Sequence, residues 1–231
     1  MTNVSTKYDA IVFDNDGVIV EPTPQERIID AVVLTFREFG YDPDRGYAAW
    51  TVDTAAGPAE TVGTYDIDPE TFWAAREDVV AAKQIRLVRD GGKQPYDDTG
   101  ILAQVDAPLG LVSNNQAGTV DFLVDYHDLS VFDTVYGREH TATGAARRKP
   151  DPYYIQRALA DLSTTNALYV GDSQKDIVAA HRAGIDSAFL RRDHVNSTDL
   201  TLQPTYDVPN LIELVQAIST SADEPVASGH E

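Results

Sequence analysis

Short apolar runs alternating with segments of helical periodicity mark this chain as α/β, with a three-layer α/β/α core on a parallel sheet and a small all-helical insertion. Three observations carry that reading. The stretch from Leu109 to Leu190 switches repeatedly between β-branched apolar runs and amphipathic segments, the pattern of strands joined by crossover helices. Residues 21–92 carry helical spacing alone. The length of 231 residues, 42% of them hydrophobic, suits one α/β domain plus a modest insertion, with enough apolar material for a core.

Taken in order, Tyr8-Asp-Ala-Ile-Val-Phe13 is an apolar run with β-branched and aromatic members. Asp-Asn-Asp-Gly cuts it off, so it reads as a buried strand with carboxylates at its C-terminal end. Ile28, Ile29, Val32, Val33, Phe36 and Phe39 then recur at helical spacing, and Gly40 supplies a stop. A second helix is expected over 45–56. A third opens at Asp68-Pro69, an N-cap followed by proline at the first helical position, and runs to about residue 89. After Gly91-Gly92 the spacing predicts a short helix at 99–105 and strands at 109–112, 131–136, 167–170 and 187–190. Helices at 117–126, 152–162 and 174–183 separate them, and a last helix covers 208–218. The expected division is a core of 1–20 and 93–219, a helical insertion of 21–92, and a polar, disordered tail over 220–231.

Composition narrows the function classes. The formal charge is −19, with aspartate well ahead of glutamate and arginine ahead of lysine. Nucleic acid is a poor partner for such a chain. The acids are spread along the whole sequence, unlike an acidic interaction tail, and adaptation to a high-salt cytoplasm accounts for them best. With no cysteine, disulfides and thiolate metal sites are excluded, and a metal must be held by oxygen or histidine. The polar start, interrupted at Asp14 and Asp16, does not read as a signal peptide, and no apolar stretch nears the roughly 20 residues that span a bilayer. A cytoplasmic protein without a membrane partner is the expectation; oligomeric state stays open.

Four motifs fall after expected strands, where ligands bind in open parallel sheets. Asp14-Asn15-Asp16-Gly17-Val18 puts two carboxylates one residue apart, with a turn at Gly17 to aim them. Ser113, Asn114 and Asn115 offer a hydroxyl and backbone N–H groups at an expected helix start, an anion site. Lys149 stands in the proline-bounded loop Lys149-Pro150-Asp151-Pro152. Gly171-Asp172-Ser173-Gln174-Lys175-Asp176 carries two acids one helical turn apart. Phosphoryl transfer needs an in-line nucleophile, neutralised phosphate oxygens and a proton source, and this set can supply all three. Asp14 can attack phosphorus while Mg²⁺ and Lys149 cancel charge, Asp14 and Asp172 suit Mg²⁺, and Asp16 is left for acid/base work.

The series DNDGV, SNN, KPDP and GDSQKD resembles that of the haloacid dehalogenase-like superfamily over nearly the whole chain, and most closely the branch of phosphoglycolate phosphatase and β-phosphoglucomutase. The resemblance implies a Rossmann-like core under an all-helical cap between the first and second motifs. It implies Asp14 as nucleophile, Asp16 as acid/base with its backbone carbonyl on the metal, Ser113, Asn114 and Lys149 as phosphate binders, and Asp172 as metal ligand. Asp176 would orient Lys149 or a metal-bound water. The implied activity is Mg²⁺-dependent hydrolysis of a small phosphorylated metabolite, phosphoglycolate first, through an aspartyl-phosphate. Val18 stands where these phosphatases commonly have threonine and mutase-like members also have valine, so a phosphomutase is the alternative, followed by a non-catalytic phosphate-binding module.

Each motif also has an ordinary reading. Acid pairs are common at strand ends in so acidic a chain, Lys149 suits any loop, and Asp176 suits a solvated helix face beside Lys175 or Arg182. It is the four in order, each after its own strand, that favours catalysis. Arg147 and Arg148 read as a solvated loop more readily than as an anion attractor. The scattered histidines at 127, 140, 181, 194 and 230 read as surface residues. Gly57-Pro58 reads as a turn between helices or as a substrate-facing turn, and Trp50 and Trp73 as packing within the insertion more readily than as a substrate platform.

The charge generates a direct expectation. The Debye length falls from about 30 Å at 0.01 M salt to about 3 Å at 1 M, so repulsion across the domain is screened out by molar KCl. The melting temperature should rise steeply with KCl at pH 7 and less near pH 4.4, where net charge approaches zero. Thermal unfolding across KCl at both pH values checks this. A flat profile at pH 7 removes the salt-adaptation reading.

Overall fold

The computed structural model describes residues 3–219, and the tail expected to be disordered lies outside them. Strand β1 (Ala10–Phe13) is buried at every position. Ile11 and Phe13 enter one apolar cluster, whereas Ala10 and Val12 enter another on the opposite face. That alternation is what a strand covered on both sides requires.

The chain then leaves for four helices: α1 (Gln25–Glu38), α2 (Arg45–Asp53), α3 (Pro58–Val62) and α4 (Pro69–Arg89). Ile29, Val32, Val33 and Phe36 of α1 meet Ala48, Val62 and Phe72 in an apolar cluster of their own. The helix expected over 45–56 is two helices. α2 ends at Asp53, Ala55 takes a left-handed φ of 51°, and Pro58 opens α3, because the residue before a proline is pushed out of helical geometry. Gly57-Pro58 is thus a helix start, its backbone N–H donating 3.0 Å to Glu60. Trp73 is buried, whereas Trp50 is 46% exposed, contrary to the packing role expected for it.

A 3₁₀ turn at Thr99–Gln104 leads back to the sheet. There follow β2 (Leu109–Gln116), α5 (Ala117–Tyr126), β3 (Thr134–Arg138), α6 (Ala142–Ala146), α7 (Tyr153–Asp161), β4 (Ala167–Gly171), α8 (Gln174–Ala183), β5 (Asp186–Leu190), β6 (Tyr206–Val208) and α9 (Leu211–Ile218). All pairings are parallel, in the order β3-β2-β1-β4-β5-β6. α5 and α9 cover the Ile11 face, and α7 and α8 the Val12 face. This is the three-layer α/β/α core.

Three expected spans are corrected. β2 continues through the polar residues Ser113–Gln116, with a register irregularity after Val112, so the second motif is the end of a strand and not a helix start. The third strand is displaced from 131–136 to Thr134–Arg138, because Val131 and Phe132 pack on the core from a loop while Asp133 accepts the Leu109 N–H at 2.9 Å. Val208 belongs to a short sixth strand. Pro209 breaks the chain there, and Asn210 caps α9 by accepting from Glu213 N at 2.8 Å. Among the described residues no helix is long and apolar enough to cross a membrane.

This topology fixes where ligands can bind. The chain lays β2 and β3 on one side of β1 and β4 to β6 on the other, so the strand order reverses beside β1. A crevice opens at such a reversal, outside the carboxyl ends of the strands. The far side of this region is fastened by Arg192, whose guanidinium grips both oxygens of Asp98 at 2.8 Å and donates to the Val18 carbonyl at 2.9 Å. Asp98 also accepts the first N–H of α9 at 2.8 Å. Replacing Asp98→Ala strands a buried guanidinium and should lower unfolding free energy by about 3 kcal/mol, read as the shift in a urea midpoint. A midpoint unchanged from wild type would contradict this account of the fastening.

Candidate active site

Asp14 is the first residue beyond β1, and its backbone N–H donates to Val170 at the end of β4 at 2.8 Å. The chain then turns at Gly17, where φ is +84° and a Cβ would stand 1.9 Å from Asp172 Oδ2. Only glycine permits both that conformation and the approach of the loop after β1 to the loop after β4. Gly171 plays the matching part in β4, where a Cβ would lie 2.2 Å from the Cβ of Asp176. Asp14, Asp172 and Asp176 therefore converge from two adjacent strand ends.

Lys149 completes the cluster. Its buried ammonium lies 2.9 Å from Asp14 and 2.8 Å from Asp176, and donates to the Tyr169 hydroxyl at 2.7 Å. Asn114 holds the lysine's own backbone, accepting its N–H at 2.7 Å and donating to its carbonyl at 3.1 Å. That side chain, expected on phosphate, is occupied in fixing the Lys149 loop. Ser113 is buried at the end of β2, its hydroxyl accepting from Asn115 N at 3.1 Å. Asp176 presents one oxygen to Lys149. The other caps α8, accepting the Ser173 hydroxyl at 2.6 Å and N–H at 3.0 Å.

Electrostatics sets the character of this group. Burial lifts the Asp14 carboxyl well above the ordinary carboxylate range, with Lys149 opposing and the charges of Asp176 and Asp172 adding to the rise. Burial also raises Asp172, against a hydrogen bond from His194. For Lys149, burial favours the neutral amine, but Asp14 and Asp176 outweigh it and hold the ammonium well above its usual range. One oxygen from each of Asp14, Asp172 and Asp176 lies within 4.8 Å of the others. Three carboxylates thus face one ammonium, leaving an excess of negative charge on hard oxygen ligands. Such a donor set fits Mg²⁺.

Asp16 points to a different neighbourhood. Its carboxylate pairs with the buried ammonium of Lys93, which also donates to Thr23 at 2.7 Å and Gln84 at 3.0 Å. Although burial opposes it, Lys93, Asn115 and Asn15 together hold Asp16 below the usual carboxylate range. Gln84 and Asn115 exchange hydrogen bonds of 2.9 and 2.6 Å, tying α4 to the end of β2.

Sequence reasoning misses Lys93, Gln84 and Tyr169, and it does not join His194 to the site. Lys93 follows the Gly91-Gly92 boundary with no motif around it, and Gln84 differs from its apolar neighbours only as a polar residue on a buried helix face. His194 is exposed, as its surface reading expects, but lies 2.7 Å from Asp172, a contact that no spacing rule predicts for residues 22 apart. Arg148 is also more than a solvated loop cation, since its guanidinium donates to the Ala55 carbonyl. Arg147 lies over the Tyr153 ring at 4.2 Å.

A cavity of about 300 Å³ opens over the cluster, lined by Asp14, Asp16, Ser113 and Asn115 from the strand ends and by Arg76 and Gln84 from α4, among others. Asp14 and the paired Asp16 therefore face one open cavity that residues of the helical segment help to line.

Comparison with known proteins agrees with this geometry. The phosphoglycolate phosphatase of Aliivibrio fischeri is 29% identical over 198 residues, covering 78% of this chain and 82% of that protein. That of Escherichia coli K12 is 25% identical, covering 93% and 94% respectively. In fold, the chain is similar to CbbY from Rhodobacter sphaeroides solved with phosphate, at TM-score 0.66, 19% identity and coverage of 90% of this chain and 96% of that one. A CbbY variant holding xylulose-(1,5)bisphosphate gives TM-score 0.69 at 19% identity, with coverage of 92% and 100%. A family model for haloacid dehalogenase-like hydrolases matches residues 11–190, the span from β1 to the end of β5 that brings all four motifs to the reversal of the sheet. On that match, the chain belongs to the haloacid dehalogenase-like hydrolase family.

Proposed function

We propose that this hydrolase is a Mg²⁺-dependent phosphatase of small phosphate monoesters, acting through an aspartyl-phosphate on Asp14. The observation that carries the reading is the buried group of Asp14, Asp172, Asp176 and Lys149, from which Asp14 opens with Asp16 and Ser113 onto one small cavity. Lys149 and Ser113 bind the phosphoryl oxygens. The Asp14 carboxylate attacks phosphorus, the bond to the leaving oxygen breaks, and Asp16 gives that oxygen a proton. Asp16 then takes a proton from the water that attacks the aspartyl-phosphate, releasing inorganic phosphate and restoring Asp14. Mg²⁺, held by Asp14, Asp172 and the Asp16 carbonyl with Asp176 beside them, would neutralise phosphate charge during transfer.

The pair formed by Asp16 and Lys93 gives the acid/base residue two settings. While paired, Asp16 is ionised, the form that accepts a proton from water. Its protonated form, needed by the leaving group, requires the pair to open. Lys93 sits where α4 rejoins the core and bonds Thr23 on the outgoing connection, so movement of the helical segment 21–92 acts on Asp16 directly. We take that segment as the cap, closing to exclude water and select substrate.

The relatives that hydrolyse phosphoglycolate make a short phosphorylated acid the first substrate to try. Val18 does not argue for a mutase, since its side chain is buried in the core and its carbonyl accepts from Arg192. Phosphate release from a panel of monoesters tests the reading, and no release from any of them would overturn it.

Two outcomes follow from the roles assigned. Asp14→Asn should lower kcat by at least about a thousandfold with its thermal transition retained, and near-normal turnover would remove Asp14 as nucleophile. Exhaustive EDTA treatment should silence hydrolysis and added Mg²⁺ should restore it. Ca²⁺ should inhibit, because its larger and looser coordination shell displaces the carboxylates. Full activity after chelation would exclude the metal requirement.

A further inference from the structure

One wall of the cavity is cationic, which is unexpected in a chain of net charge −19. Arg76 on α4 and Arg138 at the end of β3 both line it. They share the fully buried Glu77, Arg76 at 2.6 Å and Arg138 at 2.5 Å. Arg138 also donates through Nε to the Asn114 carbonyl at 2.8 Å, while its Nη1 is buried and bonded to nothing in the structure. Arg76 lies over Trp73 at 4.7 Å. Two guanidinium groups thus share one carboxylate, and Arg148 is close enough for its charge to act on both.

Two guanidinium groups that line the cavity and share one carboxylate leave a net positive charge on this wall, which an anion in the cavity would offset. Nothing in the chemistry at Asp14 employs either arginine. Planar guanidinium donors match carboxylate and phosphate oxygens, and a desolvated cationic wall binds anions more strongly than a wet one. A volume of about 300 Å³ leaves room for a phosphoryl group and a few carbons.

We propose that Arg138 and Arg76 bind a second anionic group, a carboxylate or a phosphate, at the non-reacting end of a short phosphate monoester, with Glu77 positioning both guanidinium groups. This rests on the phosphatase reading and adds the residues that read the non-reacting end of the substrate. It also makes specificity depend on cap position, because Arg76 and Glu77 belong to α4 and Arg138 to the core sheet.

Binding of hydrolysis-resistant phosphonates, measured by calorimetry in the presence of Mg²⁺, separates the two readings. 3-Phosphonopropionate carries the second anion, propylphosphonate replaces it with a methyl group, and propane-1,3-bisphosphonate offers a second phosphonate. Wild type should bind at least one of the two dianionic-ended probes at least about tenfold more tightly than propylphosphonate, and the better one identifies the group read. In Arg138→Met, and separately in Arg76→Met, that ratio should fall to within about threefold while propylphosphonate affinity is retained. Equal binding of all three probes by wild type would overturn the proposal and leave the phosphate site standing. Loss of affinity for every probe in parallel in both variants would also overturn it, showing that the arginines only hold α4 against β3. Failure of wild type to bind any phosphonate would overturn this proposal and the phosphatase reading together.

Discussion

The ammonium of Lys149 is the point on which the site depends. Placing three carboxylates at adjacent strand ends under a covering helix layer is unfavourable, since each loses hydration and repels the others. Lys149 relieves that strain by touching Asp14 and Asp176 at once. Its own position is fixed by Asn114 from β2 and Tyr169 from β4, so the loop after α6 is clamped to both halves of the sheet. Asp176 in turn is held by the cap of α8. The result is a site whose remaining charge is negative and whose walls are rigid, as binding a divalent cation and a phosphoryl group demands. Burial in the same cluster raises the Asp14 carboxyl, and its tight convergence explains why two glycines with no room for a side chain occur within it.

Much of this was legible in the residue order. A strand buried on both faces leaves an uninterrupted apolar run, so β1, β4 and the apolar half of β2 stand out, and an abrupt polar end is where a ligand site begins. Boundaries set by polar or tertiary contacts were not legible. The Ser113–Gln116 extension of β2 carries no apolar signal. β6 is three residues long, and its pairing with β5 depends on partners distant in sequence. Lys93 shows the same limit in the site: its role comes from the return of α4 to the core, a purely spatial event. His194 reaches Asp172 through the loop after β5, again beyond any local spacing.

The distribution of charge separates two tasks. The exterior carries dispersed acid, while the buried Lys93 pairs with Asp16, the buried Lys149 pairs with Asp14, and the buried Arg138 lines the cavity with the half-buried Arg76. Such a protein repels anions at long range and holds them only where desolvated cations are arranged for them, so selection falls to contacts inside the pocket. Two of those cations bracket the helical segment, Lys93 at its end and Arg76 on its inner face. On the proposed reading, capture of an anion and release of Asp16 are thereby linked to one movement of the segment.

The central claim is that Lys149 aims the Asp14 carboxylate so that its oxygen takes the phosphoryl group. Rapid acid quench during turnover, followed by borohydride reduction and peptide mass analysis, tests it most directly. An aspartyl-phosphate at position 14 is reduced to homoserine, and the account predicts that conversion at Asp14 alone, dependent on substrate and Mg²⁺. Sustained phosphate release with position 14 unmodified, or with the label on another carboxylate, would contradict it.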